Sequence, residues 1–126
     1  MRNGACAIVA ALLVVSSAAA MAPSLVGTYA TTISGKQPAF LNGRWRVVLQ
    51  PHGAYAIERD GVRVVRGRGA VTATEIRFGH ETGPAACPGP ARYSWSLRGR
   101  SLRFTPIEDA CAGRRAILTT HPLVKQ

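Results

Sequence analysis

The stretch between Cys87 and Cys111 constrains the fold of this chain more than any other. Within it, Ala91-Arg92-Tyr93-Ser94-Trp95-Ser96-Leu97 and Ser101-Leu102-Arg103-Phe104-Thr105 flank the short connection Arg98-Gly99-Arg100. Tyr93, Trp95 and Leu97 share one face of the first run, while Arg92, Ser94, Ser96 and Arg98 share the other. That alternation of period two belongs to a strand buried on one side. Leu102 and Phe104 continue the apolar face on the second run, so the segment reads as a β-hairpin with a cysteine just outside each end. The rest of the chain must supply a surface for that aromatic face to pack against.

The cysteine count supports a crosslink. Arg2, the apolar run Ala5 to Val15 and the small residues Ser16 to Ala20 have the layout of a secretory signal peptide, expected to be cut after Ala20, or after Ala22. Its apolar core is too short for a stable membrane-spanning helix, and no second run of ~20 apolar residues follows. Removal of residues 1–20 discards Cys6 and leaves Cys87 and Cys111. In an exported chain, extracellular or periplasmic, this pair reads as one disulfide, with two buried thiols as the alternative. A metal site is not expected, because neither a Cys-x-x-Cys nor a His-x-x-x-His spacing is present to preorganise ligands. Residues 21–126 are expected to form a single domain.

Sixteen basic residues, fourteen of them arginine, stand against six acidic ones, for a net charge of +10. Such a balance marks either affinity for anionic polymers or an arginine-rich composition with no partner behind it. Arg44, Arg46, Arg63, Arg77, Arg92, Arg98 and Arg103 are expected on the solvated sheet face, opposite the aromatics, with some of them paired to Glu58 or Glu75. A stacking surface for nucleic acid would need the aromatics on the same face as the arginines, so specific nucleic-acid binding is not expected.

In chain order, Leu25 to Ile33 is rich in β-branched residues and reads as the first strand. Ser34 to Asn42 is a loop with an apolar tip, Phe40-Leu41, fit to act as a lid or plug. Trp45, Val47 and Leu49 alternate with polar partners, and Gln50 to Gly53 turns the chain towards Tyr55 and Ile57. Asp60-Gly61 is a two-residue hairpin turn, since both positions tolerate positive φ. Gly67 and Gly69 interrupt the next strand and mark a bulge or sharp bend. A short strand is expected at Ile76 to Phe78, before a Gly- and Pro-rich loop that contains Cys87. A last strand is expected over Arg115 to Thr120, ended by His121-Pro122. About eight short strands with local connections predict an all-β fold, an antiparallel up-and-down barrel or sandwich.

The order of these features resembles the small exported lipocalin-like proteins of bacteria, members of the calycin group of β-barrels. Gly27-Thr28-Tyr29 is similar to the Gly-x-Trp that opens such barrels, with tyrosine in place of tryptophan. Arg114 or Arg115 stands where, in that group, an arginine packs across the first-strand aromatic at the closed end of the barrel. The resemblance extends over Leu25 to Leu123 and implies an eight-stranded barrel that binds a small apolar molecule.

An interior of eight strands is either just filled by side chains or holds one small ligand, and the sequence leaves both open. Trp45, Tyr55, Tyr93, Trp95, Phe104 and the loop residue Phe40 are the candidate ligand walls. No Gly-x-Ser-x-Gly, His-Glu-x-x-His or phosphate-binding glycine loop is present. His80-Glu81 and Glu108-Asp109 are sequence neighbours, which on a strand face opposite ways. Neither an enzyme nor a cofactor is therefore expected. The function read from the sequence is an exported, monomeric binder of a small apolar or aromatic ligand. The alternative is a filled-core interaction or inhibitor module that associates with a secreted protein or an anionic cell-surface polymer.

Overall fold

The structure, a computed structural model, describes residues 24–126; the expected signal peptide, residues 1–20, lies outside them. Among the described residues nine strands form one antiparallel sheet: β1 (Gly27–Ile33), β2 (Gly43–Leu49), β3 (Ala54–Arg59), β4 (Val62–Arg68), β5 (Ala70–Val71), β6 (Glu75–Phe78), β7 (Ala91–Arg98), β8 (Ser101–Glu108) and β9 (Leu123–Lys125). Their order across the sheet is β4-β3-β2-β1-β9-β8-β7-β6-β5. Except for β4 and β5, which stand at its two ends, chain neighbours are thus sheet neighbours, with the α-helix α1 (Ala112–Thr119) between β8 and β9 in the chain, and the last strand pairs with the first. Among the described residues no helix is long and apolar enough to cross a membrane.

Strand pairing leaves the sheet open between β4 and the β5–β6 end, so the closed eight-stranded barrel expected from the sequence is corrected to an open sheet of nine strands. The open edge of β4 is nevertheless occupied. Arg66 exchanges backbone hydrogen bonds with Thr82 at 2.9 and 2.8 Å, and the amide of Arg68 donates to the Gly79 carbonyl at 2.9 Å. The connection from β4 to β5 is the single residue Gly69, where the chain leaves its partner β3 and joins β6. A Cβ at Gly69 would lie 1.7 Å from the Arg77 carbonyl oxygen, and one at Gly67 would strike the Tyr55 ring. The bend expected at these glycines is present, and it depends on close backbone approach.

The two clearest hairpins also form as expected. Asp60 and Gly61 take φ of 50° and 82° between β3 and β4, and Gly99 takes φ of 59° between β7 and β8. In β7, Tyr93 is fully buried, and Trp95 and Leu97 are half-buried against the core. On the outer face Glu58 pairs with Arg46 at 3.5 Å and with Arg63 at 3.4 Å.

The last strand is misplaced by the sequence reading. Residues 115–119, expected as a strand, belong to α1, and the final strand is Leu123–Lys125, beyond Pro122. Arg114, Ile117 and Leu118 are the buried residues of this helix. Their spacing of three and four is one face of a helix, and burying that face outweighs the strand preference of the sequence.

Inside the sheet, Tyr55, Phe78, Tyr93 and Phe104 pack edge to face at centroid distances of 5.0 to 6.1 Å. Contacts of this kind contribute about 0.5–1.5 kcal/mol each beyond the area they bury. The middle of the sheet's concave face is therefore occupied by side chains, and any room for a ligand lies elsewhere.

Candidate binding pocket

The site begins with the crosslink. Cys87 and Cys111 are joined, with their Cα atoms 6.0 Å apart, and each places its backbone amide on a carboxylate. Cys87 N–H donates to Glu81 Oε1 at 2.9 Å, and Cys111 N–H donates to Asp109 Oδ1 at 2.9 Å. Both carboxylates converge on Arg114 in the first turn of α1. Asp109 accepts two parallel hydrogen bonds, from Arg114 Nε at 2.9 Å and Nη2 at 2.9 Å, while Glu81 Oε2 lies 3.1 Å from Nη1. All three side chains are at most 2% exposed.

Two phenols complete the network. Tyr55 donates to Glu81 Oε2 at 2.5 Å, and Tyr93 donates to Asp109 Oδ2. Arg115 reaches the Asp109 carbonyl at 2.5 Å. A buried ion pair is tolerated when its remaining hydrogen-bonding capacity is met, and here four strands or loops contribute to meeting it.

Burial alone would raise the Asp109 carboxyl, but hydrogen bonds from Arg114, Tyr93 and the Cys111 amide outweigh it and hold the group below its ordinary range. Burial, followed by the neighbouring carboxylates, pushes the Tyr55 and Tyr93 phenols upward. The signs give a stability profile. A depressed carboxyl stabilises the fold above the unfolded value of about 3.9, and the effect is lost as pH falls through the folded value. A raised phenol stabilises it below the unfolded value of about 10, and the effect declines as pH rises beyond that. The urea midpoint is expected to be level between these limits and to fall on both sides. Asp109→Asn should lower the plateau and flatten the acid limb; an acid limb unchanged by that substitution would contradict the assignment.

Next to this network is a cavity of about 450 Å³. Its walls are Trp45, Ile57, Val64, Val65 and Ile117, with Pro84, Ala85 and Ala86 from the loop before Cys87. Phe40, Arg59, Glu81, Arg114, Gly113 and the two cysteines complete it. The loop that carries Phe40 is held at its neck by Asn42, which bonds the Lys36 amide at 2.8 Å and the Lys36 carbonyl at 3.1 Å. Trp45 fixes its tip by donating Nε1–H to the Leu41 carbonyl at 2.7 Å. The Arg59 guanidinium carbon lies 6.0 Å from the centroid of the Trp45 ring, within cation–π range. Phe40 itself is 54% exposed and lies over Gly113 of α1.

Of the six side chains expected to form ligand walls, Phe40 and Trp45 line this cavity. Tyr55, Tyr93 and Phe104 are buried in the aromatic core, and Trp95 is half-buried with its indole N–H on the Thr72 carbonyl at 3.1 Å. Tyr29, expected to meet an arginine, donates its hydroxyl to the Leu25 carbonyl at 3.0 Å, whereas Arg114 and Arg115 both bind Asp109. Sequence reasoning missed Glu81 and Asp109, having weighed them only against their sequence neighbours. A signal was present: each acid stands shortly before one of the paired cysteines, and an arginine follows the second.

No protein-family model, no curated protein and no solved structure matches the chain. The functional reading therefore rests on the geometry of the pocket.

Proposed function

We propose that this chain is an exported, non-enzymatic, lipocalin-like binding protein that takes one small apolar or aromatic molecule into the cavity between the Phe40 loop, the β3–β4 hairpin and α1. The observation that carries the reading is the pairing of a filled aromatic core with a separate, mostly apolar cavity of about 450 Å³. That volume falls within the range of small-molecule sites, and the up-and-down antiparallel order of the strands, with the last paired to the first, supports the likeness in fold. Affinity would come from burial of apolar surface, at ~25 cal/mol per Å² removed from water, with Phe40 as a cover. The disulfide fits an oxidising compartment.

A neutral fluorescent probe such as N-phenyl-1-naphthylamine is expected to bind saturably. Ala86→Phe, which fills the cavity from a half-buried wall position, is expected to weaken that binding about tenfold or more with little change in Tm, on the order of the transfer energy of the excluded surface. Unchanged probe affinity in this variant would place the ligand elsewhere.

A second reading is favoured by one observation. Of the six acidic residues, Glu81 and Asp109 are buried around a single arginine, so the solvated surface is even more basic than the composition implies. Association with anionic cell-surface polymers, weakened by salt as screened attraction must be, follows from that surface and is compatible with a ligand pocket.

A further inference from the structure

Resting on the pocket reading above, we infer that the ligand is an apolar molecule with one carboxylate, which pairs with Arg59 at the rim of the cavity while the apolar body points inward. Arg59 is the last residue of β3, and the strand register puts it on the inner face. Tyr55, Ile57 and Arg59 stand opposite Leu49, Val47 and Trp45, so this guanidinium shares a face with side chains that are otherwise apolar or aromatic. It is held from two sides. Nε donates to the Asn42 carbonyl at 2.9 Å, at the neck of the Phe40 loop, and the guanidinium carbon lies 6.0 Å from the centroid of the Trp45 ring. Among the described residues Nη1 and Nη2 have no hydrogen-bond partner, since Asp60 comes within 3.9 Å of Nε alone.

Three charged side chains line the cavity: Arg59, Glu81 and Arg114. Glu81 and Arg114 are paired and at most 2% exposed, whereas the Arg59 side chain is 38% exposed. Arg59 therefore stands at the rim with the exposed Phe40, and the paired residues form the floor.

The charges at these two levels set the sign and the orientation of the ligand. At the floor, Glu81 and Asp109 share the single Arg114, an excess of one negative charge that repels an anionic head. At the rim, Arg59 is a cation whose nearest carboxylate, Asp60, is exposed, accepts from the Arg44 amide at 2.9 Å and does not line the cavity. An anionic head is thus favoured at the rim, and the body is left to fill the apolar interior. Nη1 and Nη2 offer two parallel N–H groups, which the two oxygens of a carboxylate match. A ligand ammonium is repelled by Arg59 at the rim, and at the floor both carboxylates are already engaged by Arg114, Tyr55 and Tyr93.

Isothermal titration of the oxidised protein with three naphthalenes of nearly one shape tests the head group. They are 2-naphthoate, the neutral ketone 2-acetylnaphthalene and 2-naphthylmethylammonium. The carboxylate is expected to bind about fivefold more tightly than the ketone, as a well-aligned ion pair open to solvent provides, and the ammonium should be weakest. Arg59→Gln should erase the advantage of the carboxylate and leave the ketone nearly unchanged. Arg59→Lys, which keeps the charge without the paired N–H groups, should retain part of it. Arg103→Gln removes the same charge from an exposed position of β8 and should retain all of it, which separates a contact with Arg59 from the general attraction of a basic protein. A ketone as tight as the carboxylate in the parent, tightest binding of the ammonium, or an advantage that survives Arg59→Gln overturns the head-group inference and leaves the pocket reading standing. So does an advantage lost equally in Arg103→Gln. Failure of all three compounds to bind the parent saturably overturns both.

Discussion

Arg114→Met is expected to be the most damaging single substitution in the chain. It leaves Glu81 and Asp109 with side chains 1% and 0% exposed and no counter-charge. Removing one partner of a buried ionic group costs about 3–5 kcal/mol, a large share of the 5–15 kcal/mol typical of a domain. For a domain of this size that corresponds to a fall in Tm of about 15 °C or more. The cost arises from stranded charge, not from lost packing, and this can be separated. In the triple variant Glu81→Gln, Asp109→Asn, Arg114→Met each amide oxygen still accepts from a cysteine amide, and each amide NH2 donates to the hydroxyl oxygen of Tyr55 or Tyr93 in place of the carboxylate oxygen that accepted from it, with no charge left buried. The triple variant is expected to recover at least half of the stability lost by Arg114→Met alone. A single variant that unfolds within a degree or two of the parent, or a triple variant less stable than the single, would contradict the proposed role of the network.

The second large effect is expected from the disulfide. Cys87 and Cys111 are 24 residues apart in sequence, and releasing a loop of that length costs roughly 3 kcal/mol in the chain-entropy model. Here the crosslink does more than close a loop, because the amides of both cysteines hold the carboxylates that bracket Arg114. The pair Cys87→Ser, Cys111→Ser should therefore lower the urea midpoint and also loosen the floor of the cavity, weakening probe binding under conditions where the variant is still folded. Dithiothreitol should bring the parent to the same midpoint and leave the serine pair unmoved. A serine pair as stable as the oxidised parent would contradict the account of the staple.

The parts of the fold legible in the sequence are those decided within a few residues. Asp60-Gly61 specifies its turn because both residues sit at positive φ, and the alternation of β7 needs no partner to be seen. The bend at Gly69 was equally visible, although its cause, the Arg77 carbonyl where a side chain would be, comes from a different strand. α1 was hidden because Ile117, Leu118, Thr119 and Thr120 suit a strand as well as a helix, and only the spacing of Arg114, Ile117 and Leu118 favours the helix. The aromatic residues were correctly placed on the inner face, but whether they line a space or fill it depends on volumes that no single strand reveals. Tyr55, Phe78, Tyr93 and Phe104 fill it. The cavity, assembled from the Phe40 loop, the β3–β4 hairpin, the Pro84–Ala86 segment and α1, and the network of Glu81, Asp109 and Arg114 beneath it, come from chain segments far apart in sequence. Phe40 and Trp45 were within reach of sequence reasoning because each is a large apolar side chain with an evident structural setting.

The two tryptophans provide the most direct measurement of where a ligand is held. Trp45 lines the cavity, and Trp95 lies outside it, bonded to Thr72. In Trp95→Phe, with Trp45 the remaining fluorophore, titration with 2-acetylnaphthalene should quench the emission saturably, and in Trp45→Phe the same titration should leave Trp95 emission nearly unchanged. Saturable quenching of Trp95 with no response from Trp45, or no saturable response from either, would contradict the claim that the cavity beside α1 is the binding site.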